Sequence, residues 1–224
     1  MSLLTVRDIL THDEVREITE RLGASEFVDG SLTSRNAAAN LKLNQELQTD
    51  ETRKQLAVKV IDALNRSDTI RTHAFPNRFS YPIFSRHEEG MYYDYHTDGA
   101  ILNWGHPNAV RSDLSCTVFL SKPDGYDGGE LTIHSGSEPI QFKLPAGSAA
   151  IYPISNLHRV ETVTRGERLA AVLWIHRYMR DPARRDILAK CNDLIERLST
   201  KDLSEDTCLA SNVLHDLLRQ WAET

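Results

Sequence analysis

The middle of the chain, from about Ile70 to Tyr178, is a succession of short β-branched and aromatic segments separated by Gly, Pro, Asn and Asp. Because these segments follow one another with no helix-length pattern between them, they predict an antiparallel sandwich or jelly roll rather than a parallel sheet with crossover helices. DGYDGG and LPAG are natural chain reversals and agree with this. The predicted strand segments are FSYPIFSRH, LSCTVFLS, ELTIH, PIQFKL, SAAIYPI, HRVETV and RLAAVLWIHRYM.

Helical patterns flank the β-rich region. A short helix is predicted over Thr11 to Leu22, since Thr11 and Glu14 have the spacing of an N-cap and its reciprocal carboxylate. A second is predicted over about Asp50 to Asn65, where apolar residues recur every three or four positions. After Asp181 the helical period returns in two apolar stripes, one with Leu188, Cys191, Ile195 and Leu198, the other with Val213, Leu214, Leu217, Leu218 and Trp221.

The predicted architecture is therefore mainly β with flanking α: a jelly-roll domain with N-terminal helices at 1–180 and a C-terminal helical appendage at 181–224. A chain of 224 residues suits one substantial domain with an appendage. The appendage is expected to dock on the sandwich, where it covers a sheet edge or forms a homodimer interface.

Charge and cysteine content narrow the possible partners and compartment. The formal net charge of -6 gives no basic face for nucleic acid, so no nucleic-acid partner is expected. The N-terminus reaches charge within seven residues and has no apolar run of signal-peptide or membrane-spanning length, so a cytoplasmic location and no membrane association are expected. The cysteines, Cys116, Cys191 and Cys208, are far apart and odd in number. They indicate a reducing, cytoplasmic location.

The strongest chemical signal is the pair His96 and Asp98 in a predicted strand. Residues two apart on a strand point to the same face, so an imidazole and a carboxylate can reach one ion. His158, at the start of a later strand, can be brought opposite by a sandwich. Two histidines and one carboxylate hold one face of an octahedral metal and leave the other face for further ligands, which suits non-haem Fe(II).

Arg168 strengthens this interpretation. It stands ten residues after His158, and after a turn at Arg165-Gly166 the chain can return alongside the strand of His158. A guanidinium there can hold a carboxylate by two parallel hydrogen bonds. Taken singly, His158 fits a strand-end histidine and Arg168 an exposed strand arginine; together with His96 and Asp98 they favour a metal site with a carboxylate anchor.

The signature of HxD, a distant His and an Arg ten residues later resembles that of the prolyl-hydroxylase-like Fe(II)/2-oxoglutarate dioxygenases. The chain resembles more closely the bacterial PKHD-type hydroxylases, and the likeness covers nearly its whole length. It is carried by FVDGSLT, LKLNQEL, RSDLSCTVFLSKPDGYDGGEL, KLPAGSAAIYPISNLHRVETVTRGERLAAVLWI and VLHDLLRQWAE.

The resemblance implies a double-stranded β-helix core. It places Fe(II) on His96, Asp98 and His158, and the distal carboxylate of 2-oxoglutarate on Arg168. It further implies hydroxylation with O2, coupled to decarboxylation of 2-oxoglutarate to succinate and CO2, with ascorbate as a candidate reductant. Tyr93 matches the family's motif and is expected at the cosubstrate, with a core aromatic residue as the alternative. The iron centre itself carries the chemistry, and no separate acid or base residue is assigned.

The chain departs from the family pattern at two histidines, His87 after Phe-Ser-Arg and His176 after Trp-Ile. Both are expected to line the pocket and to affect substrate choice. The loop from Asn103 to Asn108 is either a lid over the cavity or a plain connection. Asp113 and Ser115 either line the pocket or hydrogen-bond this loop, and the second reading is preferred.

Two other functions remain open from the residues alone. A zinc-dependent hydrolase also uses histidine and carboxylate ligands, but the sequence has no HExxH or similar element to supply a general base. A non-catalytic binding module of the cupin kind would keep only the fold. The substrate itself, whether a protein side chain, a peptide or a small metabolite, stays open.

Overall fold

Two antiparallel sheets form the centre of the protein in a computed structural model, which describes residues 3–33, 41–48, 51–107, 109–201 and 204–223. The helices are α1 (His12–Gly23), α2 (Glu51–Arg66), α3 (Asp68–Ala74), α4 (Pro182–Ser199) and α5 (Ser204–Trp221), with a 3-10 turn at Gly30–Thr33. The strands are β1 (Leu4–Val6), β2 (Phe27–Asp29), β3 (Lys42–Leu43), β4 (Gln45–Leu47), β5 (Pro76–Phe79), β6 (Ile83–His87), β7 (Tyr92–His96), β8 (Ile101–Leu102), β9 (Val110–Arg111), β10 (Leu114–Phe119), β11 (Tyr126–Gly128), β12 (Leu131–His134), β13 (Pro139–Phe142), β14 (Ala149–Pro153), β15 (His158–Val160), β16 (Val163–Gly166) and β17 (Arg168–Arg177).

The larger sheet has the order β1-β14-β10-β17-β6-β4-β2, with β5 also paired to β17, and the smaller has the order β13-β12-β15-β7-β3. Their inner faces meet in a cluster that includes Phe119 and Tyr152 from the larger sheet and Leu131 and Ile133 from the smaller. This arrangement confirms the predicted antiparallel jelly roll with flanking helices.

Alternation along β10 and β17 separates the hydrophobic core from the functional cavity. Cys116 and Leu173 face the helix-covered side, where they pack in the main hydrophobic cluster. Thr117, Val172 and Trp174 belong to the opposite set and line a cavity between the sheets. Because the side-chain period of a strand is two, the same strands build the core on one face and the cavity wall on the other.

The two helices that the sequence predicted before the β-rich region, α1 and α2, both form. Thr11 caps α1: its hydroxyl accepts from the backbone N–H of Glu14, and the Glu14 carboxylate accepts from the N–H of Thr11. α2 agrees with the second prediction, whose first residue, Asp50, lies outside the described residues. Leu56, Val60 and other apolar residues of α2 are buried against the larger sheet.

α3 corrects the prediction that the β-rich region begins at Ile70. Ser67 caps this short helix by accepting from the N–H of Ile70, and strand structure begins only at β5. The helix buries Ile70 and Ala74 in the main cluster. Seven residues are too few to show a clear helical period, so burial by the rest of the fold decided this segment.

The C-terminal helices pack on one end of the sandwich. Leu188 of α4 and Leu214 of α5 join Phe75 and Met179 in a separate hydrophobic cluster. Val213, predicted on the same stripe as Leu214, is exposed. The division at 180/181 stays a prediction. No described helix has the length and apolar character needed to span a membrane.

We expect Leu188→Ala to lower the free energy of unfolding by about 2–4 kcal/mol, because a fully buried side chain leaves a cavity. Leu194→Ala is the matched control on the same helix; Leu194 is 49% exposed, so its substitution is expected to cost less than about 0.5 kcal/mol. Urea unfolding followed by circular dichroism measures both. Equal losses in the two variants would contradict the packing of α4 on the sandwich.

Candidate metal centre

His96 and His158 lie side by side in the smaller sheet. β15 pairs with β7, and His158 is directly opposite His96 in the register. His158 was predicted at the start of a later strand that the fold brings opposite; it begins β15, the strand next to β7. Asp98 was expected on the same strand as His96, but β7 ends at His96 and Asp98 lies two residues beyond it.

Each histidine is oriented by a backbone carbonyl two residues earlier. His96 Nδ1 lies 2.7 Å from the carbonyl oxygen of Asp94, and His158 Nδ1 lies 3.0 Å from that of Asn156. Because a carbonyl only accepts, each Nδ1 carries the proton and each Nε2 keeps its lone pair. Holding the tautomer through the second ring nitrogen is how proteins prepare metal-ligating histidines.

The lone pairs converge on one carboxylate. His96 Nε2 lies 3.8 Å from Asp98 Oδ1, and His158 Nε2 lies 3.7 Å from Asp98 Oδ2. One ligand atom from each of the three residues lies within 4.8 Å of the other two, and the group was the only such cluster found among the described residues. The three side chains are 5–10% exposed, so the cluster faces an enclosed space rather than bulk water.

Burial keeps the imidazole of His96 in the neutral form that can bind a metal cation. Desolvation, followed by the nearby His158, lowers the pKa of His96 to about 4. The imidazole is therefore neutral at pH 7, which is the form that binds metals. The Tyr93 ring stacks on His96 with centroids 3.6 Å apart, and the Tyr152 ring meets His158 edge-on at 5.0 Å.

Ser115 holds the carboxylate. Its hydroxyl, fully buried on β10, donates a hydrogen bond to Asp98 Oδ2. The preferred prediction, that Ser115 hydrogen-bonds the loop that begins at Asn103, is therefore wrong. Asp113 is not bonded to that loop among the described residues either: its carboxylate oxygens accept from Arg111 of β9 at 2.8 and 3.2 Å.

Arg168 begins β17 in the larger sheet and reaches the same cavity from the other side. This corrects the expectation that its strand runs alongside that of His158: β17 pairs with β10 and β6. Arg168 is 1% exposed. Burial lowers the pKa of its guanidinium, an effect that the phenols of Tyr126 and Tyr152 oppose.

The cavity between the sheets has a volume of about 540 Å³. Lys42 and Glu46, a buried ion pair that sequence reasoning missed, stand on its wall. They lie on two consecutive short strands, β3 and β4, which belong to different sheets, so no local pattern predicts the pair. The other residues that line the cavity are Ile83, Ser85, Tyr93, His96, Thr97, Asp98, Gly99, Ile101, Leu102, Asn103, Trp104, Thr117, Leu131, Tyr152, His158, Val160, Arg168, Val172 and Trp174.

Three further residues were predicted at or near the pocket: Trp104, His87 and His176. Trp104, in the predicted lid, is on the rim of the cavity and 69% exposed. His87 is buried on β6 opposite Arg168 in the register. Burial and the charge of Arg168 hold the pKa of His87 well below its usual value. His176 lines an adjoining cleft instead of the metal cavity.

Comparisons with known proteins agree with this geometry. Residues 82–176 match the 2OG-Fe(II) oxygenase superfamily. The chain is 38% identical over 226 residues to a PKHD-type hydroxylase of Xanthomonas campestris pv. campestris, with 99% of each chain covered. The fold is similar to that of a prolyl-4-hydroxylase from Pseudomonas putida, with a TM-score of 0.54, 19% identity and coverage of 79% of this chain and 92% of that one. It is also similar to HygX from Streptomyces hygroscopicus, solved with nickel, 2-oxoglutarate and hygromycin B bound, with a TM-score of 0.53, 14% identity and coverage of 79% and 83%.

A jelly roll whose cavity holds two histidines, a carboxylate and a buried arginine is typical of the Fe(II)- and 2-oxoglutarate-dependent oxygenases. The full-length similarity is more specific than the fold. Within that class, this chain belongs to the PKHD-type hydroxylase family. It is thus an oxidoreductase that uses Fe(II), 2-oxoglutarate and O2 to hydroxylate its substrate.

Proposed function

We propose that His96, Asp98 and His158 hold the iron of this hydroxylase and that Arg168 holds the distal carboxylate of 2-oxoglutarate. The donor set fits the ion: two neutral imidazoles and one carboxylate are the ligands of non-haem Fe(II) oxygenases. A site with one anionic ligand also retains enough positive charge to accept a dianionic cosubstrate.

The observation that carries the proposal is the buried guanidinium of Arg168. Its Nε and Nη2 atoms are buried without a hydrogen-bond acceptor among the described residues, and the neighbouring groups that favour its charge include the phenols of Tyr126 and Tyr152, which are neutral in their ordinary form and so do not offset a buried cation as a carboxylate would. A buried charge without a partner is costly, so such a residue calls for an anionic ligand. A carboxylate in the same cavity as the three metal-ligating side chains meets that need.

The bound iron supplies the activation of O2 that couples decarboxylation of 2-oxoglutarate to hydroxylation of a substrate C–H bond. The protein side chains perform the binding and orientation. Ser115 fixes one oxygen of Asp98, the backbone carbonyls fix both imidazoles, and Arg168 determines which end of the cosubstrate faces the metal. The enclosed walls keep bulk water from the reacting atoms.

The zinc hydrolase remains the competing function for these ligands. It gives no role to Arg168, and the hydroxylase relatives argue against it. A binding module without catalysis is disfavoured for the same reason, since metal ligands, their hydrogen-bond partners and the carboxylate anchor are all present in one cavity.

Anaerobic titration of the full-length protein with Fe(II) and then 2-oxoglutarate is expected to produce the visible metal-to-ligand charge-transfer band of a chelated keto acid. Zn(II) in place of Fe(II) gives no band and serves as the blank. Admission of O2 should then release succinate. If Fe(II) and 2-oxoglutarate bind without the band, the keto acid is not on the metal and the proposal fails.

A cytoplasmic location and use of ascorbate stay part of the proposal. Cys116, Cys191 and Cys208 are all free thiols, which supports a reducing compartment. Ascorbate is tested by including or omitting it in the succinate assay over many turnovers.

A further inference from the structure

A second cleft adjoins the metal cavity. It has a volume of about 500 Å³ and lies between β5, the β8–β9 hairpin and the start of α2. The cleft and the cavity share four lining residues, Ile83, Leu102, Asn103 and Trp174. A molecule whose reacting carbon lies near the metal can therefore place a more distant part of itself in the cleft.

The cleft is cationic. Its lining includes Arg53, Arg78 and Arg111, and no Asp or Glu lines it among the described residues. Arg111 is neutralised, because it binds both oxygens of Asp113 and lies 3.2 Å from Glu223, and the Asp113 carboxylate raises its pKa. Arg53 donates to a backbone carbonyl at 3.3 Å.

Arg78 is different from these two arginines. It is exposed on β5, and no ion pair or hydrogen bond joins its guanidinium to any residue in the described ranges. An exposed arginine without a partner is ordinary by itself. Its position on the wall of a cleft that opens beside the metal cavity makes it a candidate anchor for an anionic group.

The lining of the cleft also offers an apolar surface and a buried hydrogen-bond donor. Phe79, Tyr81 and Trp174 line the cleft, and Tyr81 is 66% exposed. The Nε1 atom of Trp174 is buried and has no acceptor among the described residues. An indole N–H can only donate, and an unpaired buried donor is costly, so an acceptor on a ligand would satisfy it.

We propose that this cleft is the outer substrate subsite and that the substrate is a small organic carboxylate with an apolar or aromatic body. Arg78 binds the carboxylate, Trp174 donates to a polar oxygen, and Phe79 and Tyr81 contact the body. The proposal rests on the proposed function, since it extends the substrate site of the same metal centre. The volume of the cleft is that of a small-molecule site rather than an extended macromolecular interface.

The test compares N-acetyl-L-phenylalanine with its primary amide, two probes of nearly the same shape in which a neutral carboxamide replaces the carboxylate. The full-length protein carries Zn(II) and saturating 2-oxoglutarate, so it is diamagnetic, cannot turn over and has its cosubstrate site filled. The indole N–H resonances of Trp104, Trp174 and Trp221 are followed by NMR, with Trp174→Phe providing the assignment. We expect the acid to shift the Trp174 resonance with about tenfold higher affinity than the amide.

Arg78→Gln should remove this preference for the acid, whereas Arg16→Gln, on the distant α1 and paired with Asp13, should keep it. Equal binding of acid and amide, which would suit a peptide chain, overturns the proposal. So does an acid-dependent shift that survives in Arg78→Gln, or the absence of any Trp174 shift. The charge-transfer band should be unaffected by Arg78→Gln, so failure of the subsite and failure of the metal centre are told apart.

Discussion

Asp98→Ala is expected to lower Fe(II) affinity more than about 100-fold and to end hydroxylation. Loss of a group that merely orients a ligand costs about 10–100-fold in metal affinity, and removal of the ligand itself costs more. Asp98 is also the only carboxylate of the three-residue cluster and the acceptor of the Ser115 hydrogen bond. Without it, the two imidazoles remain but the protein supplies no anionic ligand to the ion.

The measurement is the iron content after anaerobic equilibrium dialysis, together with succinate release. Asp94→Ala is the matched control: it removes an exposed carboxylate from the same strand and keeps the backbone carbonyl that orients His96. Circular dichroism should be unchanged in both variants. Retention of wild-type iron content and coupled turnover in Asp98→Ala would move the metal site elsewhere.

Arg168→Ala is expected to weaken the apparent affinity for 2-oxoglutarate at least about 100-fold while Fe(II) still binds. Breaking a buried charge pair by removing one partner costs about 3–5 kcal/mol, which corresponds to this loss or more. The side chain is 1% exposed and its guanidinium has no acidic partner in the described part of the chain. The guanidinium therefore gains an anionic partner only when 2-oxoglutarate binds, so its loss should appear in the affinity for 2-oxoglutarate.

Two readouts separate this effect from a general loss of structure. The charge-transfer titration gives the 2-oxoglutarate affinity, and the thermal shift on adding 2-oxoglutarate to the Fe(II)-loaded protein should disappear in Arg168→Ala. Arg165→Ala, three residues earlier, removes an exposed guanidinium paired with Asp127 and should leave both readouts unchanged. An unaltered affinity in Arg168→Ala would place the carboxylate anchor on another residue.

Several features of the fold could be predicted because their signal is local. The Thr11 cap of α1 depends on a residue three positions away, and the apolar face of α2 depends on residues within a few turns. The antiparallel sandwich followed from the close spacing of short strands. The types of the metal-ligating residues were equally visible, since His96 and Asp98 are two positions apart.

The errors occurred where distant parts of the chain decide the result. α3 was missed because its short length gives no period, and the larger sheet buries Ile70. Ser115 was assigned to a loop because its partner, Asp98, is seventeen residues away. The strand of Arg168 was placed alongside that of His158, whereas strand pairing puts β17 between β10 and β6 in the larger sheet.

By itself, the sequence determined the strand and helix periods, the cap of the first helix, the donor types of the metal centre and the family to which the chain belongs. Only the tertiary structure decided that His158 lies beside His96, that Arg168 reaches the cavity from the opposite sheet, and that an arginine-lined cleft adjoins it. The physical reason is the range of the interactions. The face that a residue occupies depends on backbone geometry and therefore on its near neighbours in the sequence. Strand pairing and burial between the sheets bring together residues that are far apart in the sequence and that no local period relates.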